Sequence, residues 1–163
     1  MSRFFCMQVP TAPASMPSLD PIPPGTSVRQ ALNMIKQMAA CTSCHARIDG
    51  LGLPFEGFDA IGRARTSDNG VPVDPTVLPV LALSHGDTQV GVLGPVDLAT
   101  KMAADPGVQS CFAQRWFEFA LRQAPQDPAD PVLVKIVAAF SSSGLDLQAL
   151  IVAVLTSDTF LAP

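Results

Sequence analysis

Cys41-Thr42-Ser43-Cys44-His45 is the stretch that decides how the rest of this sequence is interpreted. It has the form C-x-x-C-H, the pattern of covalent haem attachment. One helical turn separates the thiols by the distance that the two haem vinyl groups require, and the next residue can then direct its imidazole at the iron. We therefore predict that Cys41 and Cys44 bind haem c and that His45 is the first iron ligand.

Other chemistries also use closely spaced cysteines. A structural zinc site needs four ligands, usually in two separated pairs, but Cys6, His85 and Cys111 are scattered and there is no second C-x-x-C. A thioredoxin-like redox pair follows a strand and precedes a long helix, whereas here a predicted helix precedes the motif and a glycine-rich stretch follows it. Zinc, a redox pair and a chance occurrence therefore stay open as weaker alternatives to haem.

Composition limits the class of protein. The 163 residues are 48% hydrophobic, which is enough for a folded core, and only 15% are charged. The formal net charge of −4 argues against nucleic-acid binding, because that function requires basic patches. No run of about eighteen apolar residues occurs, so we predict no transmembrane segment.

The first two thirds of the chain combine a linker, a helix, a loop and a hairpin. Residues 7–25 are proline-rich and predict an extended linker. Thr26 or Ser27 is expected to cap a helix over about 28–39 that runs into the motif. Residues 46–66, rich in glycine and aromatic residues, predict a closely packed loop with at most one helical turn. Asn69-Gly70 predicts a β-hairpin, and a second strand pair around a turn at Gly86-Asp87 is an open interpretation of residues 76–93.

The last third of the sequence has apolar residues at helical spacing, interrupted by prolines and by Gly144. Val108, Phe112 and Phe119, for example, share one face of a predicted helix. This pattern predicts a bundle of helices over about 94–104, 107–123, 131–141 and 146–157.

The residues that follow the motif form a dense string that resembles the cytochrome-like domain of unknown function 1588. Residues 107–162 resemble the helical domain of unknown function 1585 that follows it. The strings that carry both resemblances are Ile48-Asp49, Leu51-Gly52, Phe55-Glu56, Phe58-Asp59, Gly62-Arg63, Arg65, Cys111-Phe112, Trp116-Phe117, Phe119-Ala120, Ser143-Gly144, Asp146-Leu147, Thr156-Ser157-Asp158 and Phe160. Such pairs look like the C-terminal part of large exported bacterial proteins, so the resemblance implies upstream domains of a parent protein.

The second iron ligand has two candidates. Met102 is the first, because thioether ligation is common in small c-type cytochromes, and His85, beside Gly86, is the alternative. An iron site without a second ligand also stays open. By analogy with such cytochromes, we expect the other ring nitrogen of His45 to donate to a carbonyl in Leu51–Pro54.

Charged and aromatic side chains after the motif complete the predicted site. Arg63 and Arg65 are expected to bind the haem propionates, since guanidinium pairs well with carboxylates; ordinary salt bridges to Asp49, Glu56 or Asp59 are the alternative. Phe55, Phe58 and Leu53 are expected to line the haem, unless they pack in the core. Asp49 and Asp59 are expected to cap loops, and an acid–base pair is the weaker alternative.

Cys6 and Cys111 are left for another role, and we predict that they form a disulfide; two buried free thiols are the alternative. Haem attachment and disulfides both belong outside the cytoplasm, so we expect a periplasmic or other extracytoplasmic location. No secretory signal is visible after Met1. We therefore expect that Met1 is not the natural start of the exported protein.

The sequence thus predicts a mainly α fold, with a cytochrome c-like haem part, a small β-hairpin and a C-terminal helical bundle. Residues 1–25 form the linker and the segment before it, 26–105 the haem domain and 106–163 the helical domain. The expected function is electron transfer by a haem c iron centre in a larger exported protein, with a redox partner protein. A haem enzyme that acts on a small oxidant, or an interaction module with mainly structural haem, are the alternatives.

Overall fold

The computed structural model describes residues 4–6, 11, 23–77, 90–122, 127 and 129–162. This part of the chain is mainly helical with two small antiparallel strand pairs, which confirms the predicted fold class. The elements in chain order are α1 Val28–Ile35, α2 Ala39–Gly52, a 3-10 helix Leu53–Phe55, β1 Ser67–Asp68, β2 Val71–Pro72, β3 Thr76–Val77, β4 Val92–Leu93, α3 Gly94–Ala104, α4 Pro106–Leu121, α5 Pro131–Ser142, α6 Leu147–Leu155 and α7 Asp158–Leu161.

Helix α1 begins where the sequence predicts. The Ser27 hydroxyl accepts a hydrogen bond from the Gln30 backbone N–H, and the Gln30 side chain accepts one from the Ser27 N–H. This reciprocal capping box satisfies two backbone donors that the first helical turn leaves unpaired. The buried side chains of Ala31 and Ile35 form the inner face of the helix.

The helix that contains the C-x-x-C-H motif is longer than predicted. Helix α1 ends at Ile35, a new helix α2 begins at Ala39, and α2 continues to Gly52, so the prediction of a loop from residue 46 onward was wrong for 46–52. Glycine weakens a helix interior by about 1 kcal/mol relative to alanine. Here two features support the helix in spite of its glycines: Gly50 is buried, and the side chains of His45 and Asp49, one helical turn apart, are bonded to each other.

The predicted hairpin is confirmed. Strand β1 pairs with β2 in the register Ser67↔Pro72, and Asn69 and Gly70 between them both have positive φ. Two consecutive positive φ angles are typical of the tight turn whose twist matches that of the strands. Strands β3 and β4 pair through Val77↔Val92, which agrees with a strand pair at the ends of 76–93; the proposed turn at Gly86-Asp87 lies outside the described residues.

The C-terminal helices bury one continuous core between α4, α5 and α6. Aspartates cap these three helices, and proline occupies the first position of α4 and α5, where its missing N–H costs nothing. The predicted helices are confirmed, while the short α7 was not foreseen. The core side chains are Ala113, Phe117, Leu133, Ile136, Phe140, Leu150 and Val154.

The chain divides into two compact units. One comprises Gln8–Met102, and the other combines Met1–Met7 with Ala103–Pro163. The N-terminal segment therefore groups with the C-terminal helices: the Phe4 ring stacks on the Phe112 ring with centroids 6.1 Å apart. No helix in the described ranges is long and apolar enough to cross a membrane.

Candidate cofactor site

Helix α2 carries all three residues of the predicted attachment motif. Cys41, Cys44 and His45 occupy positions i, i+3 and i+4, which lie on one face of a helix. Both cysteines are free thiols and partly exposed, and the His45 side chain is 23% exposed. The helix thus presents two free thiols and an imidazole together.

Asp49 is hydrogen-bonded to the imidazole of His45. Asp49 Oδ1 lies 2.8 Å from His45 Nδ1, one helical turn away, and only 7% of the Asp49 side chain is exposed. An ionised carboxylate can only accept a hydrogen bond, so Nδ1 is the donor in this contact. In the neutral imidazole, Nε2 then has the free lone pair that a metal ion binds.

This contact corrects two expectations. The predicted carbonyl acceptor in Leu51–Pro54 was wrong, because α2 continues past the motif and places the Asp49 carboxylate on the same face as His45. For the same reason Asp49 does not cap a loop. The spacing His45-x-x-x-Asp49 is the signal in the sequence that would have revealed the pair, had the helix been extended to Gly52.

The second oxygen of Asp49 faces a cation. Lys36 Nζ lies 3.6 Å from Asp49 Oδ2, close enough for an ion pair but beyond hydrogen-bonding distance. Asp49 Oδ2 is buried and has no hydrogen-bond partner among the described residues. Lys36 directly follows α1, so the short segment between α1 and α2 brings a positive charge to the carboxylate that supports His45. Sequence reasoning missed Lys36 entirely.

Two aromatic side chains close to the motif are exposed. Phe55 ends the 3-10 helix and is 49% exposed, and Phe58 is 42% exposed, whereas Leu53 between them and α2 is buried in the core. Met34 and Ile61 of the same unit are also exposed large apolar residues. Such surface is available to a flat apolar ligand, and the lining of a haem by Phe55 and Phe58 stays a prediction.

Arg63 lies in a turn that Asp59 organises. Asp59 Oδ1 accepts hydrogen bonds from the backbone N–H groups of Ile61 and Arg63, which confirms that Asp59 caps a loop. Arg63 Nε donates to Asp59 Oδ2 at 2.8 Å, although 77% of the Arg63 side chain is exposed. The Arg63 backbone N–H and the guanidinium hold the pKa of Asp59 below its ordinary value. An ordinary ion pair is thus present, and Arg63 is still accessible to another anion.

Arg65 is held more firmly. Arg65 Nε donates to the Glu56 carbonyl at 2.8 Å, and a terminal nitrogen donates to Asp68 Oδ1 at 2.8 Å. The side chain is mostly buried. These bonds join β1 to the turn after the 3-10 helix, so Arg65 has a structural role here. Propionate binding by Arg63 and Arg65 stays a prediction.

The two candidates for the second iron ligand differ in what the structure describes. Met102 lies in the last turn of α3, in the unit that also contains His45, and its side chain is partly exposed. His85 lies outside the described residues. Within the described ranges, no group of three or more His, Cys, Asp and Glu side chains is placed to hold a metal ion.

The remaining two cysteines form the predicted disulfide. Cys6 and Cys111 are bonded with their Cα atoms 5.5 Å apart, within the usual range for a bridge. Cys111 lies in α4 and is buried. The bridge thus covalently joins the N-terminal segment to the helical bundle, and the alternative of two buried free thiols is excluded.

The C-terminal unit also has an apolar groove of about 360 Å³ between α4, α6 and α7. Trp116 and Phe119 meet at its rim edge to face, with ring centroids 5.9 Å apart, and Phe119 is one of the most exposed large apolar residues of the unit. The groove lining includes Ile151, Leu155 and Phe160.

The fold and the site define a mainly helical chain with a C-x-x-C-H helix in one unit and a disulfide-linked helical bundle in the other. Residues 1–68 match the model of the family described as protein of unknown function (DUF1588), and residues 91–160 match that of DUF1585. The chain therefore matches a DUF1588 model and then a DUF1585 model, in the order that the sequence motifs predict. Comparisons with curated proteins and with solved structures gave no match.

Proposed function

We propose that the unit Gln8–Met102 binds one haem c covalently and serves as an electron-transfer module of a larger exported bacterial protein. The observation that carries the proposal is the combination on α2 of two free thiols with an imidazole whose Nδ1 is bonded to Asp49, which leaves Nε2 as the nitrogen available to a metal ion. Haem iron supplies a centre that gains and loses one electron without any change in the protein chain.

Each residue of the site has a separate task in this proposal. The Cys41 and Cys44 thiols form thioether bonds to the two vinyl groups, and His45 provides the first axial ligand. The free state of both thiols supports this assignment. Met102 is the proposed second ligand, with His85 as the alternative.

The exposed apolar surface supports a bulky, flat ligand rather than a small ion. Phe55 and Phe58 are each about half exposed. Full burial of such a side chain contributes about 1.5–3 kcal/mol, so covering the exposed part contributes roughly half of that. We propose that they contact the faces of the haem, and that the accessible Arg63 guanidinium pairs with a propionate.

The location and partners follow from the same chemistry. A disulfide and thioether-bound haem both form outside the cytoplasm, so we propose an extracytoplasmic protein. Upstream domains of the parent protein and a redox protein are its proposed partners.

The decisive experiment is a pyridine haemochrome spectrum of protein that is produced together with the haem-attachment machinery. We expect the spectrum of a haem with both vinyl groups saturated, and the haem should resist extraction by acidic acetone. The matched control is the double variant Cys41→Ser, Cys44→Ser, which should contain no acid-stable haem. Wild-type protein without covalent haem would refute the proposal.

Two further measurements separate electron transfer from the alternative functions. Reversible redox titration with a single one-electron step supports electron transfer, whereas haem that cannot be reduced under mild conditions favours a structural role. Failure to bind carbon monoxide or cyanide indicates that both axial positions are occupied, which excludes an enzyme acting on a small oxidant at the iron.

A further inference from the structure

We propose that Asp49 is a positioning residue that sets the reduction potential of the haem through His45, and that Lys36 opposes its effect. This inference rests on the proposed haem binding, and it adds a means of control that the motif itself does not contain.

The geometry selects the iron-binding nitrogen. The 2.8 Å contact between Asp49 Oδ1 and His45 Nδ1 holds the proton on Nδ1 and fixes the rotation of the imidazole ring. Both residues belong to α2, one turn apart, so the helix backbone keeps them in place. A ligand held in this way is oriented before any metal arrives.

The charge of Asp49 distinguishes this arrangement from a hydrogen bond to a carbonyl. A carboxylate draws the Nδ1 proton more strongly than a neutral oxygen does, so the imidazole becomes a better electron donor to the metal. Burial of Asp49 strengthens this effect, because little water screens its charge. The ferric state, with its additional positive charge, gains more from this donation than the ferrous state, and the reduction potential falls.

Lys36 limits the effect. Its ammonium group is 3.6 Å from Asp49 Oδ2, which has no hydrogen-bond partner among the described residues. The cation offsets part of the carboxylate charge from a distance without neutralising it by a direct hydrogen bond. Lys36 thus acts on the carboxylate of Asp49, and Asp49 in turn acts on the ligand His45.

This arrangement predicts opposite effects for two conservative substitutions. Asp49→Asn keeps an acceptor oxygen for Nδ1 but removes the charge, so the reduction potential should rise. Lys36→Gln removes the opposing cation, so the reduction potential should fall. We expect each substitution to change the ferrous-to-ferric ratio at a fixed potential by roughly tenfold. A role that is only structural would not produce shifts of opposite sign.

The test is a redox titration of the haem-loaded wild-type protein and of the Asp49→Asn, Lys36→Gln and Asp74→Asn variants, followed by the haem absorption spectrum. Asp74 belongs to the same unit but bonds to Thr76 instead of His45, so its variant controls for the loss of one carboxylate. A pyridine haemochrome assay on each sample measures covalent haem independently.

Shifts of opposite sign that exceed the Asp74→Asn shift support the inference. Equal potentials in Asp49→Asn and Asp74→Asn, or shifts of one sign in Asp49→Asn and Lys36→Gln, overturn it while leaving the haem proposal intact. If Asp49→Asn does not fold, Lys36→Gln decides alone, and an unchanged potential overturns the inference. Wild-type protein without haem c overturns both proposals.

Discussion

Arg29 Nε donates to Glu56 Oε2 at 3.0 Å, which joins the first helix to the turn after the 3-10 helix. The same guanidinium donates to the carbonyl oxygens of Asp74 and Thr76. One partly buried side chain therefore connects α1, the segment that carries Phe55 and Phe58, and the start of β3. The residues that Arg29 contacts are far apart in the sequence, and these bonds hold together the segments around the candidate site.

Replacement of Arg29 should loosen this unit. Arg29→Gln removes the ion pair with Glu56 and at least one bond to a carbonyl, leaving acceptors without their donor. We expect a loss of about 1–3 kcal/mol in the free energy of unfolding, measured by urea denaturation. Arg47→Gln, at an exposed position of α2, is the matched control and should change stability by less than about 0.5 kcal/mol. Equal effects of the two substitutions would contradict the role of Arg29.

The disulfide should contribute strongly to stability. The bridge closes a separation of 105 residues, and a bridge usually stabilises by about 2–5 kcal/mol because it restricts the unfolded chain. We expect the double variant Cys6→Ala, Cys111→Ala to lower the thermal midpoint clearly, and addition of reductant to lower that of the wild type only. A reductant effect of the same size in the double variant would show that the bridge is not its cause.

The number of reactive thiols should report the state of all four cysteines. In unfolded protein without haem and without reductant, Cys41 and Cys44 are expected to react and Cys6 and Cys111 are not. After haem attachment, none should react until the disulfide is reduced, because thioether sulfur no longer reacts as a thiol. Reactive thiols in the loaded, unreduced protein would show that attachment is incomplete.

Substitution of Met102 should identify the second iron ligand. If Met102 is bound, Met102→Ala should abolish the near-infrared charge-transfer band of the oxidised haem protein and lower its reduction potential, because thioether ligation raises that potential. Met34→Ala, at an exposed position of α1, should leave both unchanged. A band that survives Met102→Ala would exclude Met102, and His85→Ala would then test the alternative.

Acid should destabilise the unit Gln8–Met102 through three aspartates. The Arg63 backbone N–H lowers the pKa of Asp59, that of Thr76 lowers the pKa of Asp74, and the Lys101 side chain lowers the pKa of Asp97. A carboxyl with a lowered pKa contributes its full stabilisation above the ordinary value, and this is lost as the pH falls through the lowered pKa. We expect the thermal midpoint to decrease when the pH is lowered below about 4. The decrease should be smaller in the triple variant Asp59→Asn, Asp74→Asn, Asp97→Asn.

The sequence predicted what depends on local chemistry. Asn69-Gly70 determines its turn, Ser27 caps its helix and the apolar spacing of α5 identifies its inner face, because neighbouring residues alone decide these features. The spacing in α4 did not identify its inner face, because Phe119 is exposed. The extent of α2 was missed because Gly50 and Gly52 indicate a break, whereas burial and the contact between His45 and Asp49 support a helix. The contacts of Lys36 and Arg29 depend on tertiary packing, which spacing along the chain does not determine.

The bridge from Cys6 to Cys111 has a consequence for how the protein responds to proteolysis. The attachment motif lies within the covalent ring that the bridge closes, so one cut between these cysteines opens the ring without separating the pieces. Trypsin acting after the exposed Arg63 should leave a single band on a non-reducing gel. Reduction should release two fragments, and the motif lies in the N-terminal one. A protein linked in this way can be cut once in the enclosed segment and still retain the piece that contains Cys41, Cys44 and His45.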